Sequence, residues 1–190
     1  MKTWTFFLFS ALTSGISAAQ SIGWVQTTQT DAMSDKSYQR FSIEGAFLTP
    51  PKKPTGPPVL IVDCVPGEHR YGGGWVGGYF NQARVTLGGA ILGQGASGVI
   101  VNFRRDGEAK VQVESWSGAT DFTAAFMSYS SLVEMLYGHM TPPHADKAIA
   151  VKKLRIAVDE FQAVKIVAEF NLPESPSMAE ACGLVMRKGK

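Results

Sequence analysis

VIVNFRRDGEAKVQVESW, residues 99–116, carries the strongest structural signal in this chain. Residues 99–105 and 108–116 have the alternation and the β-branched content of strands. Between them, Asp106 and Gly107 form a dipeptide that takes the positive φ angles of a type I′ turn. The stretch therefore predicts a β-hairpin.

The second arm of this hairpin indicates which face is buried. Val111 and Val113 alternate with Lys110, Gln112 and Glu114. Side chains of a strand point alternately to its two faces, so one face of this arm is apolar and the other polar. We expect the valines to face the core and the polar side chains to face water.

Upstream of the hairpin, the sequence predicts two more strands joined by a loop. Residues 38–47 alternate apolar and polar side chains, which is typical of a half-buried strand. Residues 59–65 form an apolar run interrupted only by Asp63, which predicts a strand buried on both faces with Cys64 inside it. Five prolines in residues 49–58 predict an exposed loop between them.

Two further segments have a less regular pattern. Residues 72–98 contain ten of the twenty glycines, with aromatic side chains between them, and this predicts a twisted or bulged strand. Residues 148–171 fit either a helix or two strands. We favour a second hairpin that turns near residues 159–162, because β-branched residues dominate both arms.

Short helices complete the predicted fold. The apolar period lengthens in residues 121–139, which predicts a helix starting at Ser130 or Ser131 and ending at Gly138. Ser177 is positioned to cap a final helix that stops at Gly183. The predicted fold class is mainly β: an antiparallel β-sandwich or strongly curved sheet with one or two short helices.

The first nineteen residues have the pattern of a signal peptide. Lys2 precedes an apolar run over residues 4–12, and residues 17–19, Ser-Ala-Ala, form a small-residue cleavage site. The apolar run is shorter than the roughly 20 residues that cross a bilayer. We therefore expect residues 1–19 to be a signal peptide and residues 20–190 to form a single β-rich domain in the periplasm or outside the cell, with no transmembrane span in the mature chain.

The charge of the chain excludes one class of partner. Its formal net charge is +2, from 18 basic and 16 acidic residues. Such a balance provides no overall field that would attract nucleic acid, so we expect none to bind.

Cys64 and Cys182 are the two cysteines of the chain. An oxidising compartment outside the cytoplasm permits them to form a disulfide, which we favour. The alternative is two buried thiols, because free cysteine behaves as a small hydrophobic residue.

Catalytic and metal-binding patterns are weak. His69, His139 and His144 do not have metal-ligand spacing, so we expect neither a metal nor a cofactor. The sequence has no nucleophile elbow for serine hydrolysis. Carboxylates are scattered along the chain, and we expect Asp31 and Asp35 to shape a turn rather than to bind calcium.

A partner-binding segment is better supported than an active site. Aromatic and basic side chains, which anchor many interfaces, flank flexible glycines between residues 69 and 80. The candidate residues are His69, Arg70, Tyr71, Trp75, Tyr79 and Phe80. The alternative is that these rings complete a core built from bent strands.

The order of several short motifs resembles the VasI/TagO-type accessory proteins of bacterial type VI secretion. The matching residues are Trp24, residues 31–35 (DAMSD), 59–64, 103–107 (FRRDG), Trp116-Ser117, 168–172 (AEFNL) and Cys182. The resemblance implies an exported, β-rich envelope protein without enzymatic activity whose two cysteines are able to pair. It implies no catalytic residues.

These observations predict an exported envelope or periplasmic binding or accessory module without catalytic activity. Its expected partner is an envelope protein or a glycan. One alternative is a secreted hydrolase of cell-wall glycan, which would need two carboxylates in a cleft. Another is a periplasmic enzyme inhibitor that inserts residues 49–58 or residues 69–74 into its target.

Overall fold

The computed structural model describes residues 23–71, 74–93, 95, 98–138, 151–161 and 164–184, with the backbone alone for residues 68–71 and 74–77. The strands are β1 Val25–Thr30, β2 Ser37–Glu44, β3 Ala46–Thr49, β4 Pro58–Tyr71, β5 Gly74–Leu87, β6 Val99–Arg105, β7 Gln112–Gly118, β8 Ala124–Met127, β9 Lys153–Asp159 and β10 Lys165–Asn171. The helices are α1 Tyr129–Tyr137 and α2 Pro176–Ala181. None of these described helices is long and apolar enough to span a membrane.

All ten strands belong to one antiparallel sheet, in the order β1-β2-β4-β5-β8-β7-β6-β9-β10-β3. Strand β2 lies near one edge and β3 is the opposite edge, yet Gly45 alone separates them in sequence. One residue spans only about 3.3 Å, so the sheet must bend until its two ends lie side by side. No pairing between described strands closes the sheet, and the predicted mainly β fold with a strongly curved sheet is confirmed.

Gly45 is the corner at which the chain passes from one half of the sheet to the other. A Cβ at this position would lie 2.5 Å from the carbonyl oxygen of Glu169 and 2.8 Å from Cδ1 of Phe170. Both neighbours belong to β10, so no larger side chain fits without moving that strand. Glycine is thus required by the close approach of two backbones.

The core lies between the two halves of the bent sheet. Its largest fully buried side chains come from both halves and from α1, and include Phe41, Phe103, Phe170, Leu60, Leu132 and Ile156. Along β4, Leu60, Val62 and Cys64 face this core, whereas Val59, Ile61 and Val65 are half-buried. The prediction of a strand buried on both faces was wrong for these three residues, although Asp63 on the same outer face is fully buried.

The hairpin of residues 99–116 is confirmed, with Val99 opposite Trp116 and Phe103 opposite Gln112. Its connection is longer than predicted and is not a type I′ turn, because Gly107 has a φ of 79° while Asp106 does not have a positive φ. The carboxylate of Asp106 instead accepts hydrogen bonds from two backbone N–H groups just before and at the start of β9.

The predicted buried face of β7 was wrong. Val111 and Val113 are 52% and 63% exposed, whereas Trp116 is 2% exposed. Trp116 is in phase with Gln112 and Glu114, and burial of its large ring decides which face points inward. The indole N–H of Trp116 donates to the carboxylate of Glu114 at 2.7 Å.

The single strand predicted over residues 38–47 was wrong, because the chain turns at Gly45 and residues 46–49 form β3 at the other edge of the sheet. The remaining predicted elements are present with small shifts. The hairpin within residues 148–171 is confirmed, since Asp159 pairs with Lys165 across its turn. Helix α1 ends at Gly138 as predicted, but starts one or two residues early because Ser128 is its N-cap. Helix α2 is capped by Ser175 rather than Ser177, since Pro176 occupies its first turn. Strands β1 and β8 were not predicted.

Candidate functional site

Strands β4 and β5 extend beyond the sheet as a two-stranded arm, which we define as residues 65–71 and 74–80. Strand β2 pairs with β4 only as far as Cys64, and β8 pairs with β5 only from Ala83 onward. Within the part of the chain that the structure describes, the arm strands therefore pair only with each other. The expected bulges of the glycine-rich strand are confirmed by register shifts near Cys64 and between Pro66 and His69.

The six predicted partner-binding residues all lie on this arm. On the backbone, Arg70 is opposite Trp75, His69 is opposite Val76, and Tyr71 is opposite Gly74 near the tip. The side chains of His69, Arg70, Tyr71 and Trp75 lie outside the described part of the structure. Their role in binding stays a prediction.

Tyr79 and Phe80 occupy different environments near the base of the arm. The side chain of Tyr79 is 43% exposed. Phe80 packs against the core, and its ring centroid lies 5.6 Å from that of Tyr129 in α1. The alternative that the aromatic rings complete the core therefore describes Phe80, while Tyr79 is accessible to a partner.

The base of the arm is fixed covalently and by close packing. Cys64, the last β4 residue before the arm, forms a disulfide with Cys182 at the end of α2, as predicted. Helix α2 packs on both β4 and β5. A Cβ on Gly78 would clash with the carbonyl oxygen of Ala181, so glycine allows α2 to lie directly on the arm.

Next to the arm, on the outer face of the sheet, Asp63 is fully buried. Arg40 on β2 donates two hydrogen bonds to it, from Nε at 2.7 Å and from Nη2 at 3.0 Å. From β5, Gln82 donates at 2.9 Å and Arg84 at 3.2 Å. We call these four residues the Asp63 cluster.

The protonation of Asp63 is decided by two opposing effects. Burial raises the pKa of its carboxyl, but the hydrogen bonds from Arg40 and Gln82 and the charges of Arg40 and Arg84 outweigh burial and lower the pKa below its usual value. The carboxylate is thus ionised at neutral pH and fully occupied by its donors. This arrangement is typical of a structural ion pair.

A second charged site was missed by the sequence reasoning. A cavity of about 310 Å³ opens beside the β6–β7 connection and is lined mainly by charged residues. The cationic members of the lining are Arg104, Arg105, Lys153 and Arg155, and the carboxylates are Asp106 and Glu108. We call it the arginine cavity.

Strand pairing explains why distant residues meet at the arginine cavity. Strands β6 and β9 pair so that Arg104 lies directly opposite Arg155. On the far side of Arg155, β10 places Glu169 opposite it. The only sequence signal was the Arg-Arg-Asp-Gly run, which does not indicate that β9 adds two more cations.

The carboxylates around the arginine cavity each have donors of their own. Glu169 accepts from Arg155 at 2.6 Å and lies 3.1 Å from Lys153 Nζ. The hydrogen bond from Arg155 lowers the pKa of Glu169 and outweighs the effect of burial, and Lys153 adds to the lowering. Glu108 pairs with Arg105, and Asp106 accepts two backbone N–H groups. The two carboxylates that line the cavity are therefore both engaged, Glu108 by a cation and Asp106 by backbone N–H groups.

Other candidate groups have structural roles or lie outside the described residues. Asp31 accepts from the backbone N–H groups of Met33 and Ser34, and Asp35 has a φ of 53°, so both shape the β1–β2 turn as predicted. Among the described residues, no group of three or more histidine, cysteine or acidic side chains could hold a metal ion. His139 and His144 lie outside the described residues.

No protein-family model, curated protein sequence or solved structure matches this chain.

Proposed function

We propose that this protein is an exported binding module that docks an envelope protein through the β4–β5 arm. The observation that carries the proposal is the two-stranded arm itself, paired along its length and fixed at its base by the Cys64–Cys182 disulfide. A covalently fixed base holds a binding element in position and reduces the entropy lost when a partner docks.

The geometry of the arm favours a protein over a glycan as partner. Beyond Cys64 in β4, and before Ala83 in β5, the described backbone pairs only within the arm. The outer edge of a strand presents N–H and C=O groups at the spacing of another strand, and an added peptide strand pairs with them. Tyr79, which is exposed next to these edges, provides an aromatic contact of the kind that anchors interfaces.

Two features support a location outside the cytoplasm. Residues 1–19 have the pattern of a signal peptide. The Cys64–Cys182 disulfide belongs to an oxidising compartment. Within this proposal the protein is periplasmic or secreted, and its resemblance to VasI/TagO-type proteins favours an accessory role in a secretion apparatus.

Site-specific photo-crosslinking in the native host tests this proposal. A photoreactive phenylalanine replaces Tyr79 on the arm in one variant and Val113 in the matched control, since Val113 is 63% exposed and lies on β7, outside the arm. We expect a single discrete adduct with one envelope protein from position 79 and none from position 113. Tyr79→Ala should weaken capture of that same protein, whereas Val113→Ala should not.

The proposal fails if both positions give the same adducts, or if neither gives any. It also fails if the purified protein cleaves peptidoglycan, which would favour the hydrolase alternative. Loss of capture in a Cys64→Ala/Cys182→Ala variant that still folds would show that the fixed base of the arm contributes to docking.

A further inference from the structure

The arginine cavity combines two features that a purely structural cluster would avoid. The first is the position of Arg104 directly opposite Arg155 on neighbouring strands. Like charges directly opposite each other in a sheet destabilise it, unless an anion lies between or beside them. A pair of opposed arginines therefore needs a counter-charge.

The described protein groups do not supply this counter-charge completely. Glu169 serves both Arg155 and Lys153, so one carboxylate is shared by two cations. Arg104 forms no hydrogen bond or ion pair with any residue in the described ranges, although it lines the cavity. Arg155 and Lys153 thus share one carboxylate, while Arg104 has none among the described residues.

The second feature is a buried donor without an acceptor. Arg105 is 3% exposed, and its side chain lies on the inner face of the sheet, opposite the buried Leu154 and behind Arg104. Its Nη1 donates to the carbonyl oxygen of Glu134 at 2.6 Å and its Nη2 pairs with Glu108, but its Nε has no partner in the described structure. A buried donor without an acceptor is unfavourable, and such exceptions in a folded protein require an explanation.

We infer that the arginine cavity is a binding site for a phosphate group carried by a small organic molecule or a lipid headgroup. Guanidinium groups form paired hydrogen bonds with phosphate oxygens, and Arg104 and Arg155 approach the cavity from adjacent strands. A phosphate accepts donors from three or more directions and carries more charge than a carboxylate, which suits a lining of four cationic and two acidic residues.

The size of the cavity is consistent with this ligand class. A volume of about 310 Å³ is at the lower end of the range for small-molecule sites, which is roughly 300 to 1,000 Å³. It accommodates a phosphate with a short polar substituent such as glycerol. The site lies on β6 and β9, whereas the arm is formed by β4 and β5, so it is separate from the proposed docking function.

Calorimetric titration of the purified protein with inorganic phosphate and with glycerol 3-phosphate, at low ionic strength, tests the inference. We expect saturable binding that weakens as salt is added. Arg104→Gln should weaken it about tenfold or more, since hydrogen bonds to charged groups contribute on that scale. Arg104 is half-exposed and has no partner among the residues that the structure describes, so this variant should fold, and its thermal midpoint will verify that.

Lys36→Gln is the matched control, because it removes one positive charge from the exposed β1–β2 turn. It should bind phosphate like the wild-type protein. Equal weakening in both variants would indicate a general charge effect and overturn the inference, as would the absence of saturable binding to the wild-type protein. Acetate binding as tightly as phosphate would overturn the assignment of a phosphate ligand.

Sedimentation with phosphatidylglycerol vesicles distinguishes the two phosphate sources. Binding to vesicles that glycerol 3-phosphate displaces supports a lipid headgroup, and binding of free glycerol 3-phosphate without vesicle binding supports a soluble ester. In both cases Arg104→Gln must reduce the signal. Tyr79→Ala should leave phosphate binding unchanged, so failure of this inference and failure of the proposed docking function are separately observable.

Discussion

Two arginine-rich clusters belong to the same sheet, and they differ in how completely carboxylates neutralise them. In the Asp63 cluster, two arginines and a glutamine converge on one fully buried carboxylate. In the arginine cavity, Arg104 has no partner among the described residues and lies directly opposite Arg155 on the neighbouring strand. The charges of the Asp63 cluster are neutralised within the protein and stabilise the sheet, whereas the arginine cavity keeps a cation that an external anion can bind.

Loss of the central carboxylate should have the largest effect on stability. Asp63→Asn leaves Arg40 and Arg84 without their anion at positions where their side chains are 25% and 17% exposed. Removing one partner of a buried ion pair costs about 3 to 5 kcal/mol, which is the decrease that we expect in the free energy of unfolding by urea. A decrease below about 1 kcal/mol would contradict the conclusion that Asp63 forms a stabilising buried ion pair with these arginines. If the variant does not fold, Arg84→Gln offers a milder test in the same direction.

An intermediate effect is expected in the arginine cavity. Glu108→Gln removes one negative charge next to the buried Arg105, while Glu134 still accepts from Nη1. We expect a loss of about 1 to 2 kcal/mol in unfolding free energy, together with tighter phosphate binding because the cavity becomes more positive. Weaker phosphate binding in this variant would indicate that Glu108 contacts the ligand favourably and would argue against a purely anionic ligand.

Acid should weaken the Asp63 cluster gradually. The pKa of Asp63 is lowered in the folded state, so its ionised form stabilises the protein above the unfolded value of about 3.9, and this stabilisation is lost as the pH falls through the folded value. The loss begins only as the pH falls below the usual carboxyl range, so at mildly acidic pH the effect is smaller than that of Asp63→Asn. Urea unfolding of both proteins between pH 7 and pH 3 should show their stabilities converging as the pH falls. If the two unfolding free energies changed in parallel with pH, the ionised carboxylate of Asp63 would not be the stabilising group.

The smallest effect is expected for Arg104→Gln. Its side chain has no partner among the described residues and lies opposite another arginine, so its loss should change the unfolding free energy by less than about 0.5 kcal/mol, in the stabilising direction. A destabilisation comparable with that of Asp63→Asn would remove the contrast between the two clusters. Urea unfolding at two salt concentrations measures it, and added salt should reduce the difference by screening the repulsion.

Local patterns predicted much of the fold. The two hairpins follow from short-range alternation and turn residues, and the end of α1 follows from Gly138. The buried face of β7 was predicted wrongly because alternation gives two faces but does not say which one the sheet presents to the core. The face that carries Trp116 is buried, because its large ring gains more from burial than the side chain of Val113, which stays exposed.

Local sequence patterns could not predict the two charged clusters. Asp63 was visible as an interruption of an apolar run, but its donors come from β2 and β5 through long-range pairing. Strand β9 pairs on one side with β10, its neighbour in sequence, and on the other side with the distant strand β6. This second pairing brings Arg104 and Arg155 together. Strand order is decided by how all strands together enclose one core, and no local segment carries that information.

The bridge between Cys64 and Cys182 spans a sequence separation of 118 residues and encloses β5 to β10 in a covalent ring. A protease that cuts the backbone once anywhere inside this ring, including at the tip of the arm, yields two fragments that remain attached to each other. Such a nicked molecule would migrate as one species until a reductant is added. A molecule cut once at the tip of the arm would therefore keep both arm strands on the body that carries them.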